Sequence, residues 1–513
     1  MTLSVAEQPA RADTQPEHVD VLIVGAGVSG IGCAYHLQTE QPGSSYLILE
    51  ARDGTGGTWD IFRFPGIRSD SDLHTFGYEF KPWRDDKAIA DGPSILRYIR
   101  ETARENGIAD HVRLNHKALR AQWSSERARW SVQARRTDTG EVVSFSCRWL
   151  FAASGYFSYD EGYTPQFEGR ERFRGQIAHP QHWPEDLDHA GKRVIVIGSG
   201  ATAVTVVPAM AETAAHVTML QRSPSYVLAV PERDPIANAL KRVLPAHTAY
   251  ALTRRKNIWL QKTIYRLSRT RPRLMRRLLR ALVKRRLPEG YPVDTHFKPR
   301  YNPWDQRMCV VPDGDLFDAI SAGRVSVITD RIRTFTEHGI ELESGRELPA
   351  DVIVTATGLN LQAFGGMELV VDGTVVELSQ TMAYKGMMLT DVPNFAFAVG
   401  YVNSSWTLKV DLVCEHLVRL LAYMDERGYD TCVAHNDDPT ITTLPLLGLG
   451  SGYVQRSIHQ FPRQGSRFPW ATAMSYAQDV ENLRKRALTD PALRFSGRQR
   501  AVQDSVDVHA LAV

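Results

Sequence analysis

The feature that most limits how this chain can fold is a pattern that occurs twice: a short apolar strand, a glycine-rich turn and a helix. In the first copy, Val21-Leu22-Ile23-Val24 runs straight into Gly25-Ala26-Gly27-Val28-Ser29-Gly30, and apolar residues then recur at helical spacing through Leu37. Such a run followed by G-x-G-x-x-G reads as a buried parallel strand opening into a dinucleotide fingerprint. Gly25 allows the tight turn, Gly27 lets the backbone approach a pyrophosphate, and Gly30 lets helix and strand pack closely. The helix N-terminus attracts phosphate, and Ser29 adds a donor there. A second strand, Tyr46 to Leu49, ends in Glu50, placed to accept hydrogen bonds from ribose hydroxyls. That acid favours a nucleotide without a 2′-phosphate and leaves FAD and NAD both open.

The second copy runs from Arg193-Val-Ile-Val-Ile197 into Gly198, Ser199, Gly200, Ala201, Thr202, Ala203 and Val204, then a helix and the strand Ala215 to Leu220. Here the strand ends in Gln221 and Arg222, with no acid, and a guanidinium at that point suits a 2′-phosphate. The second site is therefore expected to take NADPH, with Ser199 and Thr202 donating to its phosphates.

Two further apolar runs, Trp149 to Gly155 and Asp351 to Gly358, look like strands at which the chain crosses between units. The expected fold is α/β: two Rossmann-like dinucleotide-binding domains, residues 15–155 and 351–513 forming the FAD domain and 156–350 an inserted NADPH domain. The run Asn394 to Gly400 is a further strand of the resumed domain, and the last dozen residues are expected to be loosely ordered.

Composition excludes several classes. Lys and Arg total 61 against 58 Asp and Glu, a balance that argues against nucleic acid as the main partner. The five cysteines are scattered without any C-x-x-C, so neither a disulfide scaffold, a metal site nor a redox dithiol is expected. No secretion signal and no run of about 18 apolar residues occurs, which points to a cytoplasmic protein that does not span a membrane. The charge is unevenly spread, however. Between Pro235 and Pro288 there are 16 Lys or Arg and no acid, with Leu274, Leu278, Leu279 and Leu282 at helical spacing. This marks a basic helical insertion, 235–290, broken at Pro272. It is expected to pack on the NADPH domain with its charges solvated, the sharper alternative being peripheral contact with an anionic membrane.

These residues read together give a general FAD and NADPH oxidoreductase. The chain also resembles the class B flavoprotein monooxygenases, and within them the Baeyer-Villiger monooxygenases. The hallmark F-x-G-x-x-x-H-x-x-x-W-P is matched by Phe173, Gly175, His179, Trp183 and Pro184, and G-x-W-x-x-x-x-[FY]-P-G-x-x-x-D by Gly57, Trp59, Phe64, Pro65, Gly66 and Asp70. The runs YNPWDQRMCVVPDGDLF, AYKGMML and GYVNSSWTLK are similar to the ethionamide-activating subgroup. The resemblance implies that NADPH reduces FAD, O2 adds as a flavin peroxide, and ketones become esters or lactones, with sulfide or thioamide oxygenation as a side activity. It assigns Arg307 as the catalytic arginine and Asp70 as its carboxylate partner, which also borders the flavin. It places Thr58 and Trp59 against the flavin, Arg68 and Ser69 facing NADPH, and His179 near the linker with an influence on NADPH. Trp406 is a candidate for the substrate pocket. Gln306 departs from the pattern, since many relatives carry Lys there.

Three rivals remain. An N- or S-oxygenating flavin monooxygenase shares the fold but does not require a cation over a peroxide anion. A pyridine-nucleotide disulfide reductase needs the missing C-x-x-C. A flavin-binding scaffold docked on membranes would retain the glycines without needing Arg307 and Asp70 together.

Overall fold

The computed structural model describes residues 16–497, so the expectation for the last dozen residues lies outside the described span. In chain order the elements that place the site are β1 (Glu17–Val24), α1 (Val28–Glu40), β2 (Tyr46–Leu49), β3 (Val142–Ala152), β4 (Gln176–Ala178), β5 (Arg193–Ile197), α2 (Ala201–Met210) and β6 (His216–Gln221). They continue with α3 (Ala246–Thr270), α4 (Pro272–Lys284), β7 (Val325–Thr329), β8 (Val352–Thr355), β9 (Phe395–Phe397) and α5 (Thr407–Arg427).

β1 lies between two parallel neighbours, with Val21 opposite Tyr46 of β2 on one side and Trp149 of β3 on the other. Its apolar run is buried on both faces, which is why Val21 to Val24 are continuously apolar and do not alternate. α1 packs on α5 across one face of this nine-stranded sheet. The early part of β3 pairs antiparallel with Arg129–Arg136, and its end pairs in parallel with β9. The chain thus resumes the first sheet after leaving the second.

The second sheet is all parallel, in the order β7, β6, β5, β8, β4. β8 sits inside it, pairing with both β5 and β4. The chain therefore leaves the second unit only after Thr355, a few residues later than the boundary expected at 351, because Val352, Ile353 and Val354 are wholly buried as a central strand.

The basic insertion is helical and breaks at Arg271-Pro272 as expected, but it packs differently. α3 lies on the first unit. Arg254, 5% exposed, donates from Nη1 to the carbonyls of His74, Thr75 and Gly77 at 3.1, 3.1 and 2.7 Å, and its Nη2 faces Asp411 at 3.3 Å. Asn257 and Gln261 donate to Asp72 at 2.8 and 2.7 Å. α4 instead seats Leu279 against Tyr226 and Met308 of the second unit. The insertion thereby bridges both units. A buried guanidinium among carbonyls replaces the solvated charge expected at position 254, and its hydrogen bonds to three carbonyls with Asp411 beside it offset the cost of burying that charge. Among the described residues no helix is long and apolar enough to cross a membrane.

Candidate active site

One cavity of about 1330 Å3 runs between the two glycine-rich turns. That exceeds the roughly 300–1,000 Å3 of pockets for a single drug-sized ligand. On the first side, Gly25 has φ +110°, and a Cβ there would fall 2.8 Å from the carbonyl oxygen of Ala153, at the end of the β3 crossing. Gly30 has no room at all: its Cβ would lie 1.9 Å from the Gly25 oxygen. Gly27, the N-cap of α1, brings no side-chain cap, and the first turn holds no acid. Its amides therefore remain for an anion. Glu50, 4% exposed, accepts the Ala26 N–H at 2.8 Å and the Arg52 N–H at 3.0 Å, and burial pushes its carboxyl up. Each of its oxygens still has acceptor capacity toward the cavity. The Thr58 hydroxyl lies 3.2 Å from that of Tyr159, and Trp59 borders the same wall. Ser29 accepts the indole N–H of Trp406 at 2.8 Å, so Trp406 lines the cavity beside the first turn.

The second turn is built alike. Gly198 has φ +145° with a would-be Cβ 2.3 Å from the Ala356 oxygen, and Gly200 caps α2 without a side chain. Ala201 and Thr202 line the cavity, whereas Ala203 and Val204 are wholly buried behind it. Ser199 borders the cavity, but its hydroxyl donates to the Ser223 carbonyl at 3.0 Å. The expected phosphate donor is thus committed to holding the loop that follows β6. Gln221 is also turned away: its amide donates to the His296 carbonyl at 2.8 Å and to Thr329 Oγ1 at 2.9 Å, stitching β6 to β7. Gln221, the last residue of β6, therefore does not look into the cavity. Arg222 does: it is exposed on the cavity wall and its side chain makes no hydrogen bond or ion pair among the described residues.

Arg68 borders the cavity but is paired with Asp315 at the start of a helix. Ser69 is 3% exposed, and its hydroxyl accepts the Ala90 N–H at 3.3 Å. His179 is not among the cavity residues. Its ring fills the space over Gly162, its Nδ1 accepts the Gln181 N–H at 3.1 Å, and its Nε2 therefore donates to the Gly358 carbonyl at 3.2 Å. Burial holds this imidazole below its ordinary range, which suits a neutral strut under the second crossing. The rest of the hallmark is also packing: Phe173 is buried in the second unit, a Cβ on Gly175 would meet the Asp351 carbonyl oxygen at 2.3 Å, and Trp183 packs on the second core.

Where the two sides meet stand Arg307 and Asp70. The guanidinium Nη2 reaches Oδ1 and Oδ2 of Asp70 at 2.9 and 2.7 Å, and both side chains are about one-third open to the cavity. Asp70 holds the guanidinium protonated far above its ordinary range. Nη1 and Nε of Arg307 have no partner among the described residues. Gln306 borders the same wall without charge. Two phenols flank the pair, Tyr156 and Tyr453, both pushed upward by burial and both feeling the Arg307 charge. Sequence reasoning missed them. Tyr156 directly follows the Gly155 turn, a signal that was available; Tyr453 lies in a short helix with none.

Residues 82–407 match the flavin-binding monooxygenase-like family, and residues 23–85 an NAD(P)-binding Rossmann-like domain. The chain belongs to the flavin-binding monooxygenase-like family. Over 95% of its length it is 53% identical to the FAD-containing monooxygenase EthA of Mycobacterium tuberculosis H37Rv, covering 99% of that protein. It is 50% identical to EthA of Mycolicibacterium smegmatis with the same coverage of both chains. The solved structure of an oxidized steroid monooxygenase bound to NADP superimposes with a TM-score of 0.70 at 24% identity, over 82% of this chain and 88% of that one, which bears on the fold. In this flavin-binding monooxygenase the donor set fits two dinucleotides. Two uncapped helix N-termini face one cavity, with a carboxylate beside the first and beside the second a guanidinium that has no partner among the described residues.

Proposed function

We propose that this chain is an FAD- and NADPH-dependent monooxygenase of Baeyer-Villiger type, taking a small-molecule ketone and O2 to an ester or lactone. The α1 amides, Gly27 and Glu50 hold the FAD pyrophosphate and ribose, with Thr58 and Trp59 along the flavin. The α2 amides, Gly200 and Thr202 hold the NADPH pyrophosphate, and Arg222 reads its 2′-phosphate. When bound, NADPH and flavin supply the two electrons and the activation of O2. What the chain itself supplies is a fixed cation in a walled cavity. Asp70 occupies only Nη2 of Arg307, so Nη1 and Nε, without a partner among the described residues, donate to negative charge that develops at a substrate carbonyl. Arginine suits this because it stays protonated at any working pH. Tyr156, Tyr453 and Trp406 exclude water and give the substrate an aromatic wall.

The observation that carries this reading is the Arg307–Asp70 pair standing between the two glycine turns. The test is anaerobic reduction with NADPH, then mixing with 18O2 and a panel of ketones. An ester carrying one 18O supports the reading. Reduction of O2 to hydrogen peroxide with every ketone returned unchanged would sink it.

A further inference from the structure

The bridging insertion carries most of the large apolar side chains this protein leaves on its surface. Of 14 such exposed residues among those described, nine lie between Ile236 and Leu282. On α4 the arrangement is regular: Met275, Leu279 and Val283 are buried against the protein, while the adjacent stripe of Leu274, Leu278 and Leu282 is 55%, 46% and 38% exposed. The apolar face of this helix is wider than the protein covers. On α3, Trp259 is 65% exposed.

The cations of the same helices are unpaired to a matching degree. Lys256, Arg269 and Arg280 have carboxylate partners. Arg255, Lys262 and Arg266 on α3 and Arg273, Arg277 and Lys284 on α4 are exposed, and their side chains make no hydrogen bond or ion pair among the described residues. Not one acid interrupts residues 235–288. An apolar groove on another protein satisfies the leucines and leaves the cations desolvated. A second copy of this chain, meeting the first across a two-fold axis, sets like charges against each other. An anionic bilayer satisfies both sets at once: acyl chains receive Leu and Trp, and headgroups receive Lys and Arg.

We propose that α3 and α4 dock this protein peripherally on an anionic lipid bilayer, with Trp259, Leu274, Leu278 and Leu282 seated at the acyl boundary. A second cavity of about 320 Å3 lies between Tyr265 and Arg269 of α3 and Val402, Leu449 and Met474. The last three pack in the same cluster as Tyr156 and Tyr453, beside the main cavity. Docking places this vestibule at the membrane edge, where a lipophilic substrate leaving the bilayer reaches it. That consequence rests on the oxygenating reading; docking itself does not.

The test is co-sedimentation of the flavin-loaded protein with phosphatidylglycerol or phosphatidylcholine vesicles, at low and high salt. The expected result is binding to phosphatidylglycerol at low salt, weaker by about tenfold or more on phosphatidylcholine and at high salt. The variant W259S/L274S/L278S/L282S is expected to lose binding while keeping its flavin, melting temperature and turnover of a short, water-soluble ketone. R273E/R277E, which leaves the apolar face intact, is expected to lose the lipid selectivity. No binding to phosphatidylglycerol at low salt overturns the proposal. So does binding that ignores headgroup charge and both variants, or self-association without vesicles that the serine variant abolishes, which would make this face an interface between copies. Because binding is read without turnover, its failure is separable from a failure to oxygenate ketones.

Discussion

A single nitrogen of Arg307, Nη2, contacts both carboxylate oxygens of Asp70, and Nη1 and Nε of that guanidinium have no partner among the described residues. The pair is therefore positioned by one edge and available at the other, unlike a bidentate structural clamp. Arg307→Ala should keep its flavin, because among the described residues this side chain bonds to Asp70 and to neither glycine turn, and should lose ester formation by about 10²–10³ in kcat. Flavin content by absorbance and product by gas chromatography check this. Asp70→Asn leaves the cation without its orienting charge and should lower kcat less than the arginine deletion does. Undiminished ketone oxidation by Arg307→Ala would remove the arginine from the chemistry.

Arg222 directly follows β6 and its side chain has no partner among the described residues, whereas Gln221 beside it is consumed by His296 and Thr329. A charge-assisted contact to phosphate is worth about 1.5–3 kcal/mol. Arg222→Ala should thus raise the KM for NADPH by roughly 10- to 100-fold and leave that for NADH within about twofold. Steady-state rates with both coenzymes decide it. An equal rise for both would show that this guanidinium does not read the 2′-phosphate.

What could be read from the sequence was what is local. Strand, glycine turn and helix are contiguous, so both nucleotide units and the steric need for Gly25 and Gly30 were legible. So was Arg222, from its place after a strand. That Gln221 turns away was not, because its partners His296 and Thr329 lie far along the chain. Long-range packing was not legible. Nothing within the run Val352 to Thr355 says which sheet it joins, and nothing near Arg254 announces three carbonyls some 180 residues earlier in the chain. Tyr453 reaches Arg307 from a distant short helix for the same reason.

Gly30 tests the steric part of the argument. A methyl group at this position would stand 1.9 Å from the Gly25 carbonyl oxygen, and backbone cannot swing aside as a side chain can. Gly30→Ala should push α1 off the turn and yield protein with little bound flavin. Gly43→Ala, where nothing lies within 4 Å, should retain it. Comparable flavin content in the two variants would mean that the close approach is dispensable.

Beneath the cavity wall lies an ion pair with no access to water: Lys409 and Asp479 are 1% exposed and 2.7 Å apart, and the Tyr401 hydroxyl donates to the same carboxylate oxygen at 2.7 Å. Removing one member strands the other charge, at a cost of about 3–5 kcal/mol. Lys409→Met is expected to lose that much in urea unfolding, and Lys409→Met/Asp479→Leu to recover most of it. If the double variant is as unstable as the single, the loss comes from packing and not from a stranded carboxylate.

His416, on α5, gives the pH dependence a definite sign. It is 1% exposed, its Nδ1 lies 2.9 Å from the Leu483 carbonyl oxygen, and burial, with Lys385 and Arg419 nearby, pulls its imidazole down to about 3. In the unfolded chain the same group titrates near 6.5. Above that pH neither state is protonated and His416 has no effect on the pH dependence. Below it the unfolded chain takes up a proton that the native state refuses, so stability falls as pH falls, by about 1.4 kcal/mol per unit, until the folded value is reached. His416→Asn keeps a donor for Leu483 but cannot titrate. Between pH 6.5 and 5 the parent protein should therefore lose about 2 kcal/mol more than the variant in parallel urea titrations. Parallel losses across that window would mean that the native imidazole takes up its proton as readily as the unfolded one.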